Sequence, residues 1–269
     1  MARPVISLTS DFGVQSQGVG AMHGVALTIA PEANLIHLMH GLPPFDVIAA
    51  ARTLETIVDL PIGFHVCVCD PGVGTERKAL IIETRRGDFL IGPDNGVLIP
   101  ATRVLGGIVR VREITTPDYM RMPVSPIFHG RDVFAPTAAH LAVGVPLEAF
   151  GPEVNPADLV TAAYEEAEIL SQARITATVL QINHFGSLNL NIRHEVWDKL
   201  NLSECAEIRA VIANGAPLPL KVCRTFGDAD IGQNLILKDD YGRVEIAQNR
   251  GAFVKHHPIA IGEKVTLHY

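Results

Sequence analysis

An α/β N-terminal domain, with a mostly parallel sheet and flanking helices, followed by an all-β, barrel-like C-terminal domain is the architecture this sequence predicts. Three observations predict it. The first half alternates short apolar runs with helical patterns, and the second half strings short strand-like runs between turn residues with hardly any helical period. Between them proline and glycine thicken through VPLEAFGPEVNPADL, followed by the acidic stretch YEEAEIL. The 269 residues, 48% of them hydrophobic, suffice for two cores, and the boundaries fall at 1–160 for the α/β domain, 161–172 for a linker and 173–269 for the barrel-like domain.

In chain order, PVISLTS reads as a strand, 18–30 as a helix, ANLIHLM as a strand, 46–59 as a helix and FHVCVCD as a strand, which is the alternation of a parallel sheet covered by helices. ALIIET and DFLIGPDNG form a strand pair turning at Arg86-Gly87-Asp88, and DVFAPTAAHLAVG is a helix ending at Gly144. The second half supplies ARITATVLQIN, LNLNI, EIRAVIA, LPLKVCRTF, NLILKDD, RVEIA and KVTLHY, a series that suits a small antiparallel barrel or sandwich.

A formal net charge of −7 leaves no basic field to attract a polyanion, so nucleic acid is excluded as a partner and a small molecule is expected. No apolar run approaches the roughly 20 residues that span a bilayer, and MARPVISLTSDFG has no signal-peptide core, so the expectation is a soluble, cytoplasmic chain that does not engage membranes. Four cysteines, Cys67, Cys69, Cys205 and Cys223, are too few for a disulfide framework. Cys67 and Cys69 share one face of a strand as small buried hydrophobes, and their spacing does not suit a zinc site, so no metal is expected.

Ligands of open α/β sheets bind beyond the carboxyl ends of the strands, where several polar clusters fall. Asp11, in TSDFG after the first strand, reads equally as a ribose-diol acceptor and as a helix cap or Asx-turn. Asp70 and Arg77 flank the flexible loop of DPGVGTERK, where a structural ion pair is by itself the simpler reading. His129, Arg131 and Asp132 gather in FHGRDVF at a helix entrance, as a proton-transfer group or as a capped, satisfied cluster. NHFGSLNLNI places Ser187, Asn189 and Asn191 after a Phe-Gly turn, fit to read a purine edge or to face solvent on a hairpin.

Together TSDFG, DPGVGTERKALIIE, GPDNG, FHGRDVFAPTAAHLA, HFGSLNLNI, TFGDADIGQ and YGRVEIAQNRGA, in this order over nearly the whole chain, resemble the S-adenosyl-L-methionine hydroxide adenosyltransferases, relatives of the fluorinases and chlorinases. The resemblance implies hydrolysis of S-adenosyl-L-methionine to adenosine and L-methionine by water or hydroxide at C5′. It also implies a homotrimer with active sites between the N-terminal domain of one subunit and the C-terminal domain of the next. The hydrolytic members' Asp, Arg and His fall at Asp70, Arg77 and His129, a combination that the halogenating relatives lack. Because the sulfonium is already a leaving group, catalysis needs an aligned, partly desolvated nucleophile, with His129 or Asp70 accepting a proton, and no cofactor or metal.

By the same resemblance Asp11 binds the ribose hydroxyls, Phe226 packs on adenine, the backbone of Arg250 to Ala252 meets the adenine edge, and Asn95 shapes the site. Plain core packing is the other reading of Phe226. The C-terminal motifs depart from the family pattern: Phe185, Gly186 and Asn191 are kept, but Asn183 stands where an Asp holds the methionine ammonium, and Ser187 shortens the reach to adenine. An expected Asn-Ser-aromatic-Gly is Asp239-Asp240-Tyr241-Gly242, so Asp240 is expected to replace the lost carboxylate beside Tyr241. Ile127 replaces the family's usual Thr. A non-catalytic adenosine or nucleotide-ligand sensor and halide-dependent adenosyl transfer are the competing functions.

Overall fold

The computed structural model describes residues 3–171, 173–212 and 215–269 and divides into two compact units, Met1–Ala163 and Tyr164–Tyr269. The first holds six strands: β1 (Val5–Ser10), β2 (Asn34–Met39), β3 (Phe64–Val68), β4 (Ala79–Thr84), β5 (Phe89–Pro93) and β6 (Ile108–Glu113). They lie in the order β2-β1-β3-β5-β4-β6, with β2, β1, β3 and β5 parallel and β4 antiparallel to both its neighbours. The expected turn between β4 and β5 forms at Arg86-Gly87-Asp88, where Gly87 takes φ +98° and its N–H reaches the Thr84 carbonyl at 2.9 Å.

Helices α1 (Gln17–Ile29), α2 (Val47–Glu55), α3 (Ile99–Val104) and α4 (Ala135–Ala142) flank this sheet. Ser16 caps α1 by accepting the Gly18 N–H, and Asp46 caps α2 by accepting that of Ala49. Strand alternation sends Ile6, Leu8, Val66 and Val68 into one core with Met22 and Ala26 of α1 and Ala138 and Ala139 of α4. The neighbouring positions Ser7 and His65 face the other way into a buried chain, Ser7 Oγ to His65 Nδ1 at 2.8 Å and His65 Nε2 to Asp88 Oδ1 at 3.1 Å, closed by the Arg86 guanidinium on Asp88.

The helix expected from 132 begins differently. Gly130–Phe134 is a π-helical turn, and regular α-helix follows only from Ala135. Asp132 is therefore not a helix cap: it is buried, holds Arg131 and Arg121, and accepts the Ser125 N–H at 2.9 Å. Strand β6 and helix α3 had no counterpart in the sequence reading.

The second unit contains β7 (Glu168–Ser171), β8 (Arg174–Ile182), β9 (Leu188–Arg193), β10 (Glu207–Ile212), β11 (Leu218–Val222), β12 (Asn234–Lys238), β13 (Arg243–Gln248) and β14 (Lys264–His268), with helices α5 (His194–Lys199) and α6 (Phe253–His256). Seven strands close on themselves in the order β14-β10-β11-β12-β13-β9-β8, since β8 pairs with β9 through its second half and with β14 through its first. Strand β7 lies within the segment 161–172, the expected linker, and pairs with the start of β8. All pairings are antiparallel except β11 with β12. Ile175, Val179, Leu190, Ile208, Leu220, Ile236, Val244 and Val265 fill the interior, and Trp197 of α5 packs into the same core.

Candidate active site

Strand order decides where the first unit can hold a ligand. The chain leaves β1 for β2 on one side and returns to β3 on the other, so the crevice beyond the carboxyl ends of β1 and β3 is a topological switch point. Ser10 lies beside Val68 in the parallel register, which sets Asp11 against Cys69 and brings Asp11 and Asp70 to one cavity at that edge. Parallel β5 ends nearby, and Asn95 beyond it donates to the Cys69 carbonyl at 2.9 Å while its own oxygen accepts the Val97 N–H at 3.2 Å. Asn95 thus fixes the end of β3.

The loop after β3 folds Arg77 back onto Asp70. Arg77 Nε donates to Asp70 Oδ1 at 3.0 Å and Nη2 donates to Oδ2, a two-pronged pair that is almost wholly buried. Nη2 also donates to His129 Nδ1 at 2.9 Å, and the guanidinium carbon lies 5.4 Å from the centre of the Phe134 ring. Gly74 permits the fold: its φ is +77°, and a Cβ there would stand 2.4 Å from the Pro126 carbonyl oxygen, in the loop leading to His129. At Gly130 an added Cβ would meet Met22 Sδ at 3.0 Å and Val68 at 3.1 Å, so glycine lets the π-turn sit against β3.

Asp70 and His129 border a cavity of about 280 Å³ that Asp11, Phe45, Val73 and Ile127 also help to line. Asp11 Oδ2 accepts the Phe45 N–H at 2.8 Å and lies 3.7 Å from the Cys69 thiol, which donates to it. Asp11 does not cap α1, since Ser16 does. Burial first, and the Arg77 charge second, lower the His129 pKa from its ordinary value against the opposing pull of Asp70 and Asp132. As Arg77 can only donate, His129 Nδ1 is the acceptor and the neutral ring carries its proton on Nε2.

The second unit gathers Phe185, Ser187, Phe226, Arg250, Ala252 and Lys255 around a cavity of about 720 Å³. The Phe185-Gly186-Ser187 turn is pinned by Asn183, whose side-chain oxygen accepts from Phe185 N at 3.0 Å and Ser187 N at 3.1 Å. Gly186, at φ +80°, lies so close to Ala252 that a Cβ would approach its Cβ to 2.8 Å. Phe226 is 44% exposed on a short turn capped by Thr225 and Asp228, not packed in the barrel core. Asp240 and Tyr241 are exposed in the turn between β12 and β13.

The acid expected to compensate for Asn183 was Asp240, yet the carboxylate that touches Asn183 is that of Glu245, at 3.4 Å. Sequence reasoning passed over Glu245, although an acid in RVEIA, two residues from another charge in a strand buried along nearly its whole length, was the available signal. It also passed over Lys255 at the larger cavity and Val73 at the smaller. Among the described residues no group of three or more His, Cys, Asp or Glu side chains is arranged to hold a metal ion, and no helix is long and apolar enough to cross a membrane.

Family models for the SAM hydroxide adenosyltransferase N-terminal and C-terminal domains match residues 6–151 and 177–266. An (R)-S-adenosyl-L-methionine hydrolase of Salinispora arenicola is 41% identical over 249 residues, covering 92% of this chain and 91% of that protein. A fluorinase of Nocardia brasiliensis is 25% identical across 98% of this chain and 97% of its own. The crystal structure of an uncharacterised conserved protein from Thermotoga maritima superposes with a TM-score of 0.91 at 30% identity, covering 98% of this chain and all of that one.

Proposed function

The chain belongs to the SAM hydroxide adenosyltransferase family, and we propose that it hydrolyses S-adenosyl-L-methionine to adenosine and L-methionine by attack of water at C5′ of the ribose. The observation that carries this reading is the cluster at the switch point of the sheet, where Asp70 and His129 line one cavity and Arg77 bonds to both. In the reaction a water oxygen bonds to C5′ as the C5′–S bond breaks. The bonding pair passes to sulfur, which leaves as the neutral thioether of methionine, and one water proton goes to a base. The sulfonium needs no protonation, so the step calls on no cofactor and no metal.

Alignment and partial desolvation of the water are then the protein's task. His129 Nδ1 is occupied by Arg77, so the ring offers its Nε2 proton as a hydrogen-bond donor to the nucleophile, and Asp70 keeps free lone pairs with which to accept the departing proton. Arg77 holds both groups in place and offsets negative charge on the attacking oxygen. Asp11 receives the ribose hydroxyls through Oδ1, and Phe226, with the backbone of Arg250 to Ala252, forms the adenine platform. Support for the last assignment is the cavity that these residues share with Phe185.

The assembly in this reading is a cytoplasmic homotrimer whose active sites combine the first unit of one subunit with the second unit of the next. Exposed apolar side chains at both cavities, Phe45 and Ile127 at one and Phe185 and Phe226 at the other, support it as surface that gains from being covered. Incubation of the purified protein with S-adenosylmethionine in halide-free ¹⁸O-water tests the chemistry. Adenosine bearing the heavy oxygen, with methionine, is the expected outcome. Binding without product marks a ligand sensor, and a product that appears only with chloride marks halide transfer; either overturns the reading.

A further inference from the structure

Strand β13 alternates Val244 and Ile246 into the barrel core with Arg243, Glu245 and Ala247 on its other face. Glu245 is only 8% exposed, and its partners are neutral: the Asn183 amide at 3.4 Å, the Ser187 hydroxyl and the Asn189 amide. The charged group nearest in effect is Asp239, of the same sign, and among the described residues no Lys, Arg or His pairs with Glu245. Burial foremost, and Asp239, raise its pKa above the usual carboxylate range, which the three donors only partly offset. A carboxylate so placed is short of one thing, a positive charge.

Ser187 lines the large cavity and donates to Glu245, so the carboxylate stands one side chain behind the cavity wall. Asn183 spends its oxygen on the turn and directs its NH2 group to Glu245, so it has no free acceptor for an ammonium. Asp240 is exposed at the turn between β12 and β13. We propose that Glu245 is a specificity residue of the substrate site, receiving the α-ammonium group of S-adenosylmethionine in the role that position 183 has lost. The ammonium replaces the long Asn183 contact with a charge-assisted one and supplies the counter-charge that the buried carboxylate lacks.

This rests on the hydrolase reading, and the test separates the two. Steady-state hydrolysis is measured for S-adenosylmethionine and for its analogue without the α-amino group, the 3-carboxypropyl sulfonium, with the wild type, Glu245→Gln and the double variant Asn183→Asp/Glu245→Gln. The wild type is expected to prefer S-adenosylmethionine in kcat/KM by about ten- to a hundredfold, the range for a hydrogen bond to a charged group. Glu245→Gln should lose that preference mainly through KM. The double variant should regain it, since Asp at 183 keeps both turn contacts and restores an acid. A Glu245→Gln enzyme that discriminates as the wild type does overturns the proposal and leaves the hydrolase reading standing. A wild type that hydrolyses neither compound overturns both. Should Glu245→Gln fail to fold, Asn183→Asp alone decides: a second acid beside Glu245 should tighten KM for S-adenosylmethionine and not for the analogue, and equal change in both sinks the idea.

Discussion

Arg77 makes four contacts at once: a fork onto Asp70, a donor to His129 Nδ1, a donor to the Lys78 carbonyl and a cation over Phe134. Arg77→Ala should therefore lower turnover by about a hundredfold or more, the scale for loss of a preorganised electrostatic group; near-normal turnover would make it a structural pair. Arg77→Lys is not a conservative repair, because an ammonium cannot span both Asp70 oxygens. Protonating His129 would place a charge in a buried site and set two positive charges face to face across the Arg77 contact; burial first, and Arg77 second, lower its pKa. The neutral ring thus persists as pH falls through 6.5, and the acid limb of kcat/KM should lie below that value, measurable in a pH–rate profile. Asp70, Arg77 and His129 were legible in the sequence only as parts of an ordered set of motifs. Their proton arrangement was not, because it depends on which imidazole nitrogen Arg77 meets across 52 residues of chain. Glu245 escaped for a related reason: its meaning comes from Asn183, 62 residues earlier, and not from its neighbours.

Elements place these residues, and two of them invite tests. Gly74→Ala forces a Cβ toward the Pro126 carbonyl at a positive φ, so the loops carrying Arg77 and His129 must part. A loss of activity larger than the loss of stability, about 1–3 kcal/mol for one such strained position, is expected from parallel kinetics and denaturation. The buried Ser7–His65–Asp88 chain resembles a nucleophilic triad in composition, yet all three side chains are fully inaccessible and Arg86 closes the end. Burial opposes the Asp88 charge, but hydrogen bonds from His65 and Arg86 outweigh it and hold the pKa well below the ordinary carboxylate value. Asp88→Ala should cost about 3–5 kcal/mol by leaving the Arg86 guanidinium and the buried His65 ring N–H without their acceptor, with kcat nearly unchanged. A second chain runs Ser10–His40–His37–His23 at 2.7, 2.9 and 3.0 Å, and Gly13 N donates to the His40 carbonyl, tying the Asp11 loop to the end of β2. Burial, then His37, lower the His40 pKa to about 4. Between pH 6.5 and 4 the unfolded chain binds a proton that the folded chain refuses, so stability should fall as pH drops through that window, and His40→Asn should flatten the dependence of the denaturation midpoint. Strong alternation and capping made β1 to β5, α1 and α2 readable. The π-turn was not, since its residues suit a plain helix and only packing of Gly130 on Met22 and Val68 selects the wider turn.

At the scale of the whole molecule, composition divided the chain in two, but the short strand β7 in the expected linker could not be foreseen, because four exposed residues gain their structure only by pairing with β8. The proposed shared site has its own test. Mixing subunits inactive through Arg77→Ala with subunits inactive through a Phe226 substitution, by refolding together, should restore about a quarter of wild-type activity if each site draws on two neighbours in a closed ring; no recovery would assign each site to a single subunit. Closure of the barrel has another consequence, for the order in which the protein is made. Strand β14 is the last along the chain and joins β10 to β8, which begins at Arg174. On a ribosome adding about 5–20 residues per second, β8 waits roughly 5–20 s for that partner. Through this interval the nascent barrel carries two unpaired strand edges, a template for mispairing between neighbouring chains. Slowing translation within the last strands should thus raise aggregation, while the first unit, whose sheet is complete long before, should be indifferent to it.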